Sequence, residues 1–302
     1  MEEMTTGLCP KCGHTLQIPA ELERFSCMYC GERLTKRQLL TQPEEASCSE
    51  EDCAVSFDHA VSRLGWCVQN FRGYQKKILR DAFFEAFETY ETGCAPVIQE
   101  LNSGVRPERQ TELLDRAAEA MLDELSAGWE KKNDMEDEKV ILAIFFVPMV
   151  RKLQLPVSEE FVSLLQKKWV ERHPKSPFYL GDYESISGGF RKKFLGLCFI
   201  TTAVCQELGK PDDCAELTAF RAFRDGYLAA QPDGEALIRE YYNIAPGIVT
   251  CINTCSDRHA SYERIREQYL TPCYEDLLAG RNADCKTRYV QMVRDLEREY
   301  LH

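Results

Sequence analysis

Four cysteines near the amino terminus have the spacing of a metal cage. Cys9-Pro-Lys-Cys12-Gly13 and Cys27-Met-Tyr-Cys30-Gly31 are two C-x2-C pairs, with fourteen residues between Cys12 and Cys27. The two-residue gap lets both thiolates of a pair curl around one ion. Two such pairs at this separation predict a tetrahedral four-cysteine site for one structural Zn2+. The glycine after each pair permits the tight turn that aims backbone N–H groups at sulfur. A redox C-x2-C pair is the competing chemistry, but two pairs at this spacing without a thioredoxin-like context favour zinc. His14 is then a spare surface residue rather than a fifth ligand. The connecting stretch alternates polar and apolar residues in two short pieces around Pro19, which predicts a hairpin-like ribbon. So small a segment cannot bury enough surface to offset its chain entropy, so the metal must supply its folding free energy.

A second group of chemistry-bearing residues lies in the run Cys198-Phe-Ile-Thr201-Thr202-Ala-Val-Cys205. If this run is helical from Cys198 to Leu208, then Cys198, Thr201, Thr202 and Cys205 fall at i, i+3, i+4 and i+7 and share a face. Cys214, in the first turn after Asp212, would feel the free N–H groups that favour thiolate. Cys251 and Cys255 stand four apart, a helical spacing able to chelate metal. Against these stands core filling, because free cysteine acts as a small hydrophobe and Phe199, Ile200, Ala203 and Val204 are core company. The candidate reactive set is Cys198 with Cys205, Arg224 and Asp225. Arg221 and Asp225 are spaced for an i,i+4 surface pair. Tyr241 and Tyr242 read as packing aromatics with one hydroxyl reaching a partner. A cysteine nucleophile wants a base, and of five histidines only His259 is near in sequence.

The four-cysteine segment resembles the zinc-ribbon superfamily over residues 8 to about 34. That resemblance implies the metal and not the partner. From Met1 to Leu40 five basic residues balance five acidic ones, so a basic stripe for nucleic acid is missing and a protein-contact or structural role is favoured. Farther on, Gly196-Leu-Cys198-Phe-Ile-Thr201-Thr202-Ala-Val-Cys205, Leu217-Thr-Ala-Phe-Arg221-Ala-Phe-Arg224-Asp225-Gly-Tyr227-Leu228 and Tyr241-Tyr242-Asn-Ile-Ala-Pro246 stand in order. Together they resemble the CFI-box family, a C-terminal domain named for its Cys-Phe-Ile run, from Gly196 to Ile252. Members of that family usually carry Ala and Tyr-Gly where this chain has Thr202 and Cys205-Gln206, so it is similar to a divergent relative with an extra cysteine. The resemblance implies a domain and brings no assigned activity.

The elements that must position these residues read as helices. Ile78, Leu79, Ala82, Phe83, Ala86, Phe87 and Tyr90 recur at helical spacing, and Pro107 opens a second run through Leu113, Leu114, Ala117, Ala118, Met121, Leu122 and Leu125. Val140 to Leu153 is apolar on nearly every side and belongs at the centre of a bundle, being too short and too interrupted by Pro148 to span a membrane. Phe161, Leu164, Leu165 and Val170 add a helix stopped at His173-Pro174, and Pro174 to Gly189 reads as a loop-rich joint. Asp212, Asp233 and Asp257 are placed to cap later helices, and Gly209 with Pro211 ends an earlier one. The stretch from Thr41 to Asp58 carries six acids and no Lys or Arg, an exposed linker or weak acidic helix in which Cys48 and Cys53 are surface thiols.

The expected fold is mainly α: a small β zinc ribbon (1–40), an acidic linker (41–56), and a helical bundle in two subdomains, 57–175 and a CFI-box-like 176–302. Ordinary composition, with 44% hydrophobic and 28% charged residues, opposes disorder. A formal charge of −12 opposes phosphate-backbone binding. The Met-Glu-Glu start carries none of the marks of a secretory signal, and fifteen cysteines in such a chain read as reduced thiols and metal ligands, so a cytoplasmic location is expected. The function read from all this is a zinc-binding cytoplasmic adaptor that contacts a protein partner. The alternatives are a thiol-dependent enzyme or redox sensor centred on Cys198, and, more weakly, nucleic-acid binding through the ribbon.

Overall fold

The structure is a computed structural model that describes residues 4–8, 15–19, 21–29, 31–36, 49–131, 133–191, 198–255 and 257–301. Cys9, Cys12, His14, Cys30 and Cys48 lie outside the described residues, as does the start of the CFI-box-like run at Gly196. By contacts the chain divides into two compact units, Met1–Cys53 and Ala54–His302.

The first unit is built from two antiparallel hairpins. Strand β1 (Met4–Leu8) pairs with β2 (Thr15–Pro19), Met4 facing Pro19 and Leu8 facing Thr15. Strand β3 (Arg24–Ser26) pairs with β4 (Arg33–Thr35) across a turn that contains Cys27. Its core among the described residues is Leu16, Cys27 and Leu34 with Phe25 against them. With Ile18 the described residues bury four apolar side chains, too few to carry a fold by apolar burial alone.

The second unit is helical and has one continuous core running from Phe57 to Leu301. Helix α1 (Glu50–Leu64) begins in the acidic stretch, where Ser49 Oγ accepts the Asp52 N–H at 3.1 Å and donates to the Asp52 carboxylate at 2.6 Å. That cap makes the stretch a helix start, and Cys53 is buried rather than a surface thiol. After the short α2 (Trp66–Gln69), α3 (Phe83–Gly104) and α4 (Gln110–Ala127) bury the stripes their spacing predicts. A 3-10 turn at Pro107–Arg109 leads into α4. Ile78 to Ala82 stay outside α3, because Asn243 accepts the Arg80 and Asp81 backbone N–H groups through its carbonyl and its side chain, at 3.0 and 3.1 Å.

The apolar centre is a helical rod: α5 (Asp134–Ile141), a π turn over Leu142–Phe146, and α6 (Val147–Lys152). Pro148 lacks the N–H that a regular helix would need, and the wide turn before it absorbs the break. Phe145 on this rod lies 5.5 to 5.8 Å from the rings of Tyr74, Phe83 and Tyr90. Helix α7 (Ser158–Arg172) packs on α4 and stops at His173 as its Pro174 requires.

The stretch read as a loop-rich joint departs from expectation. Residues Tyr183–Arg191 form α8, with Gly188 and Gly189 inside it. Asp182 accepts the Ser185 N–H and hydroxyl at 2.8 Å each, starting the helix, and Phe190 stacks on Phe83 at 4.3 Å. Packing and a cap override the glycine penalty. Ahead of α8, Trp169 Nε1 donates to the Ser176 carbonyl at 2.7 Å and Phe178 bridges to Cys255, so the core continues without a break at 175.

The remaining helices are α9 (Phe199–Glu207), α10 (Ala215–Ala222) running into a π turn at Phe223–Leu228, α11 (Gly234–Asn253), α12 (Arg258–Ile265), a π turn at Arg266–Leu270, α13 (Thr271–Leu278) and α14 (Asn282–Tyr300). Helix α11 packs against α9 and α14. The aspartate caps are not made as expected. Asp233 and Asp257 occupy the cap positions without a side-chain cap bond, Asp233 instead pairing with Lys286 at 2.5 Å, and Asp212 pairs with Arg221 at 2.8 Å while Cys214 takes the cap position of α10. No helix among the described residues is long and apolar enough to cross a membrane.

Gly247 on α11 is a close apposition of helix and chain, since a Cβ there would lie 1.9 Å from the Ile78 carbonyl oxygen. Gly247→Ala should therefore cost about 1–3 kcal/mol of stability. The expected readout is a lower urea midpoint at unchanged m-value, and an unshifted midpoint would refute the close packing.

Candidate functional site

Helix α9 begins one residue later than its apolar run implies. Cys198 is its cap residue with φ −99° and ψ 80°, and its carbonyl accepts the Thr202 N–H at 2.6 Å. The first turn of a helix has N–H groups without intrahelical partners. Here Tyr241 of α11 reaches across, its hydroxyl accepting the Ile200 N–H at 3.0 Å. The Tyr241 hydroxyl lies 3.4 Å from that of Tyr289 on α14, which in turn lies 3.3 Å from Thr201 Oγ1. Three helices thus meet at a chain of hydroxyls.

The π turn after α10 supplies the charge. It carries Arg224 inward, to 9% exposure, and leaves the neighbouring Asp225 carboxylate largely in solvent. Arg224 donates in parallel to both Asp225 oxygens, at 2.7 and 2.8 Å. Its Nη1 donates to the Tyr242 hydroxyl at 3.1 Å and to Cys198 Sγ at 3.6 Å. A narrow, mostly apolar cavity of about 60 Å³ lies here, lined by Cys198, Phe220, Phe223, Arg224, Tyr241 and Tyr289 among others. Three separated sequence blocks therefore converge on one place: Cys198 from the first, Arg224 and Asp225 from the second, Tyr241 and Tyr242 from the third.

The electrostatics favour a neutral thiol. Burial pushes the Cys198 thiol up, outweighing the Arg224 and Arg221 guanidiniums that pull it down. Burial likewise raises Tyr241, Tyr242 and Tyr289, while the bonds from Arg224 hold Asp225 below the usual carboxylate range. A thiolate nucleophile needs the reverse shift. His259 is exposed and faces Glu207 and Glu263, so it supplies no base at this cavity. The arrangement braces the helices with a buried guanidinium, a dry thiol and three protonated phenols.

Several sequence-level expectations are redrawn. The four residues expected on one face separate: Cys198 lines the apolar cavity, Thr202 a different and more polar one, and Cys205 a third together with Thr201. Cys205 thus stands apart from Arg224 and Asp225 and instead faces Cys214, sulfur to sulfur at 3.8 Å. Arg221 pairs with Asp212 rather than Asp225, because Asp225 is taken by its own neighbour. Both Tyr241 and Tyr242 hydroxyls are engaged, where one was expected. Cys255 lies beyond the end of α11 and its thiol donates to the Cys251 carbonyl at 3.2 Å, and the described residues hold no group of three side chains able to cage a metal. Tyr289 and the Cys205–Cys214 contact were not foreseen; nothing local in the sequence marks them, since each depends on which helices become neighbours.

Two outcomes test this geometry. In the native protein Cys198 should resist iodoacetamide at neutral pH and label only after denaturation; rapid native labelling would overturn the neutral, enclosed thiol. For Cys205, burial and then the Cys214 sulfur push the thiol from 9.0 up to about 12. The unfolded chain then releases this proton first, so the contribution to stability is complete below pH 9.0 and disappears as pH rises toward 12. The stability difference between wild type and Cys205→Ser, from urea midpoints, should shrink over that window, and a constant difference would contradict the shift.

Comparison with known proteins finds no matching family model, no matching curated protein and no matching solved structure.

Proposed function

We propose that the chain is a zinc-dependent interaction protein, an adaptor whose amino-terminal module presents a metal-stapled surface to a protein partner from a helical body. The observation that carries this reading is the turn around Cys27. Cys27 is buried, its N–H donates to the Glu32 carbonyl at 2.8 Å, and Gly31 closes the turn with φ +72°, the left-handed geometry only glycine adopts freely. The two residues between Cys27 and Cys30 point the other way, Met28 being 77% exposed and Tyr29 58%. A sulfur turned inward beneath two large exposed side chains fits a metal staple that holds a contact surface in place.

Cys27 with Cys9, Cys12 and Cys30 would hold the ion. A bound zinc supplies the cross-link, on the order of 10 kcal/mol of apparent binding free energy in small zinc modules, that so few buried residues cannot provide. The even charge balance of residues 1–40 and the overall charge of −12 favour a protein partner over a nucleic acid.

The purified chain is expected to carry one zinc per molecule, and Cys9→Ser/Cys12→Ser to lose it while the helical circular dichroism persists. Met28→Ser/Tyr29→Ser should keep the zinc yet lose the partners that the wild type retains in affinity capture. A zinc-free wild type, or identical partner lists from wild type and both variants, would sink the proposal.

A further inference from the structure

Cys205 and Cys214 are brought together by a short, punctuated connection. Helix α9 ends at Glu207, Gly209 takes φ +67°, and the Lys210 N–H returns to the Cys205 carbonyl at 2.8 Å. A turn in which the Cys214 N–H donates to the Pro211 carbonyl at 3.1 Å then starts α10. The two sulfurs end 3.8 Å apart, both as free thiols. A disulfide needs about 2.05 Å, so closure requires under about 2 Å of approach. Gly209, Pro211, Asp212 and Asp213 in the connection are exposed, so side-chain rotation and a small loop shift can supply it.

The surroundings of the pair differ from those of the other paired thiols. Cys67 with Cys94, and Cys273 with Cys285, also hydrogen-bond through sulfur, but all four are wholly buried. Cys214 is half-buried at the protein surface. The Lys210 ammonium acts on both sulfurs, and the Cys214 thiol hydrogen-bonds the Glu216 carboxylate, which itself pairs with Lys210.

We propose that Cys205 and Cys214 are a peroxide-responsive dithiol, with Cys214 as the attacking thiol and Cys205 as the resolving one. The Cys214 sulfur attacks the distal oxygen of a hydroperoxide, the O–O bond breaks, and the alcohol or water leaves with the proton, giving Cys214 sulfenic acid. The Cys205 sulfur then attacks the Cys214 sulfur, the S–O bond breaks, and the hydroxyl departs as water with the Cys205 proton. Two thiols are oxidised by two electrons and one hydroperoxide is reduced. The order follows from access, since Cys205 is 4% exposed and Cys214 is the sulfur an oxidant meets first. The inference is independent of the zinc module.

The test uses the full-length, zinc-loaded protein treated with stoichiometric hydrogen peroxide, blocked with N-ethylmaleimide and mapped by non-reducing peptide mass spectrometry. The expected product is one Cys205–Cys214 linkage, reversed by dithiothreitol, with Cys67, Cys94, Cys273 and Cys285 still reduced. Cys205→Ser should accumulate a dimedone-reactive Cys214, and Cys214→Ser should form no linkage and leave Cys205 unmodified. Cys9→Ser/Cys12→Ser should form the same linkage as wild type, which separates it from oxidation of the zinc thiolates. Persistence of both thiols while other cysteines oxidise, pairing of Cys214 with another cysteine, or dimedone labelling of Cys205 in Cys214→Ser would overturn the proposal.

Discussion

The carboxy-terminal half of the helical unit is organised around one buried cation. A guanidinium taken from water must find partners for its donors or cost several kcal/mol. Arg224 finds them on three elements: Asp225 beside it, Tyr242 on α11 and Cys198 at the start of α9. Because the carboxylate partner lies in solvent, the pair keeps half of its hydration while its other end anchors dry groups. Together with the hydroxyl chain of Tyr241, Tyr289 and Thr201, this gives the packed helices a fixed mutual register.

Around that anchor the polar atoms are shared rather than stacked locally. The start of α9 takes its acceptor from Tyr241, a phenol on a packed neighbouring helix. The same economy appears at residues 80 and 81, whose N–H groups are satisfied by Asn243 instead of by extending α3. In both places α11 supplies the partner, so this helix works as the polar spine of the unit as well as part of its core.

What could be read in the sequence follows from the range of each interaction. The stripes of α3 and α4 and the stop at His173 are set by neighbours three or four residues away, and they stand as the periodicity and Pro174 imply. The tight turn at Gly31 is equally local. Non-local contacts defeat the same reasoning. Phe190 on Phe83 holds Gly188 and Gly189 in a helix, Lys286 diverts Asp233 from capping, and the non-helical backbone at Cys198 removes it from the face it was expected to share with Cys205. The residues Cys198, Arg224 and Asp225 were identifiable as a group, whereas Tyr289, 91 positions beyond Cys198, enters only through the packing of α14.

Two π turns, at Leu142–Phe146 and Arg266–Leu270, lie within otherwise continuous helical segments of the described residues. Each holds one residue more than a regular helix would accommodate, and one residue is about 100° of rotation. They act as phase shifters: the buried stripe leaves such a turn on a different bearing from the one on which it entered. Loss of a single residue from Arg266–Leu270 would restore an ideal helix and swing α13 around its axis. Length in these short segments is consequently under tighter constraint than side-chain identity, the opposite of what holds in an ordinary exposed loop.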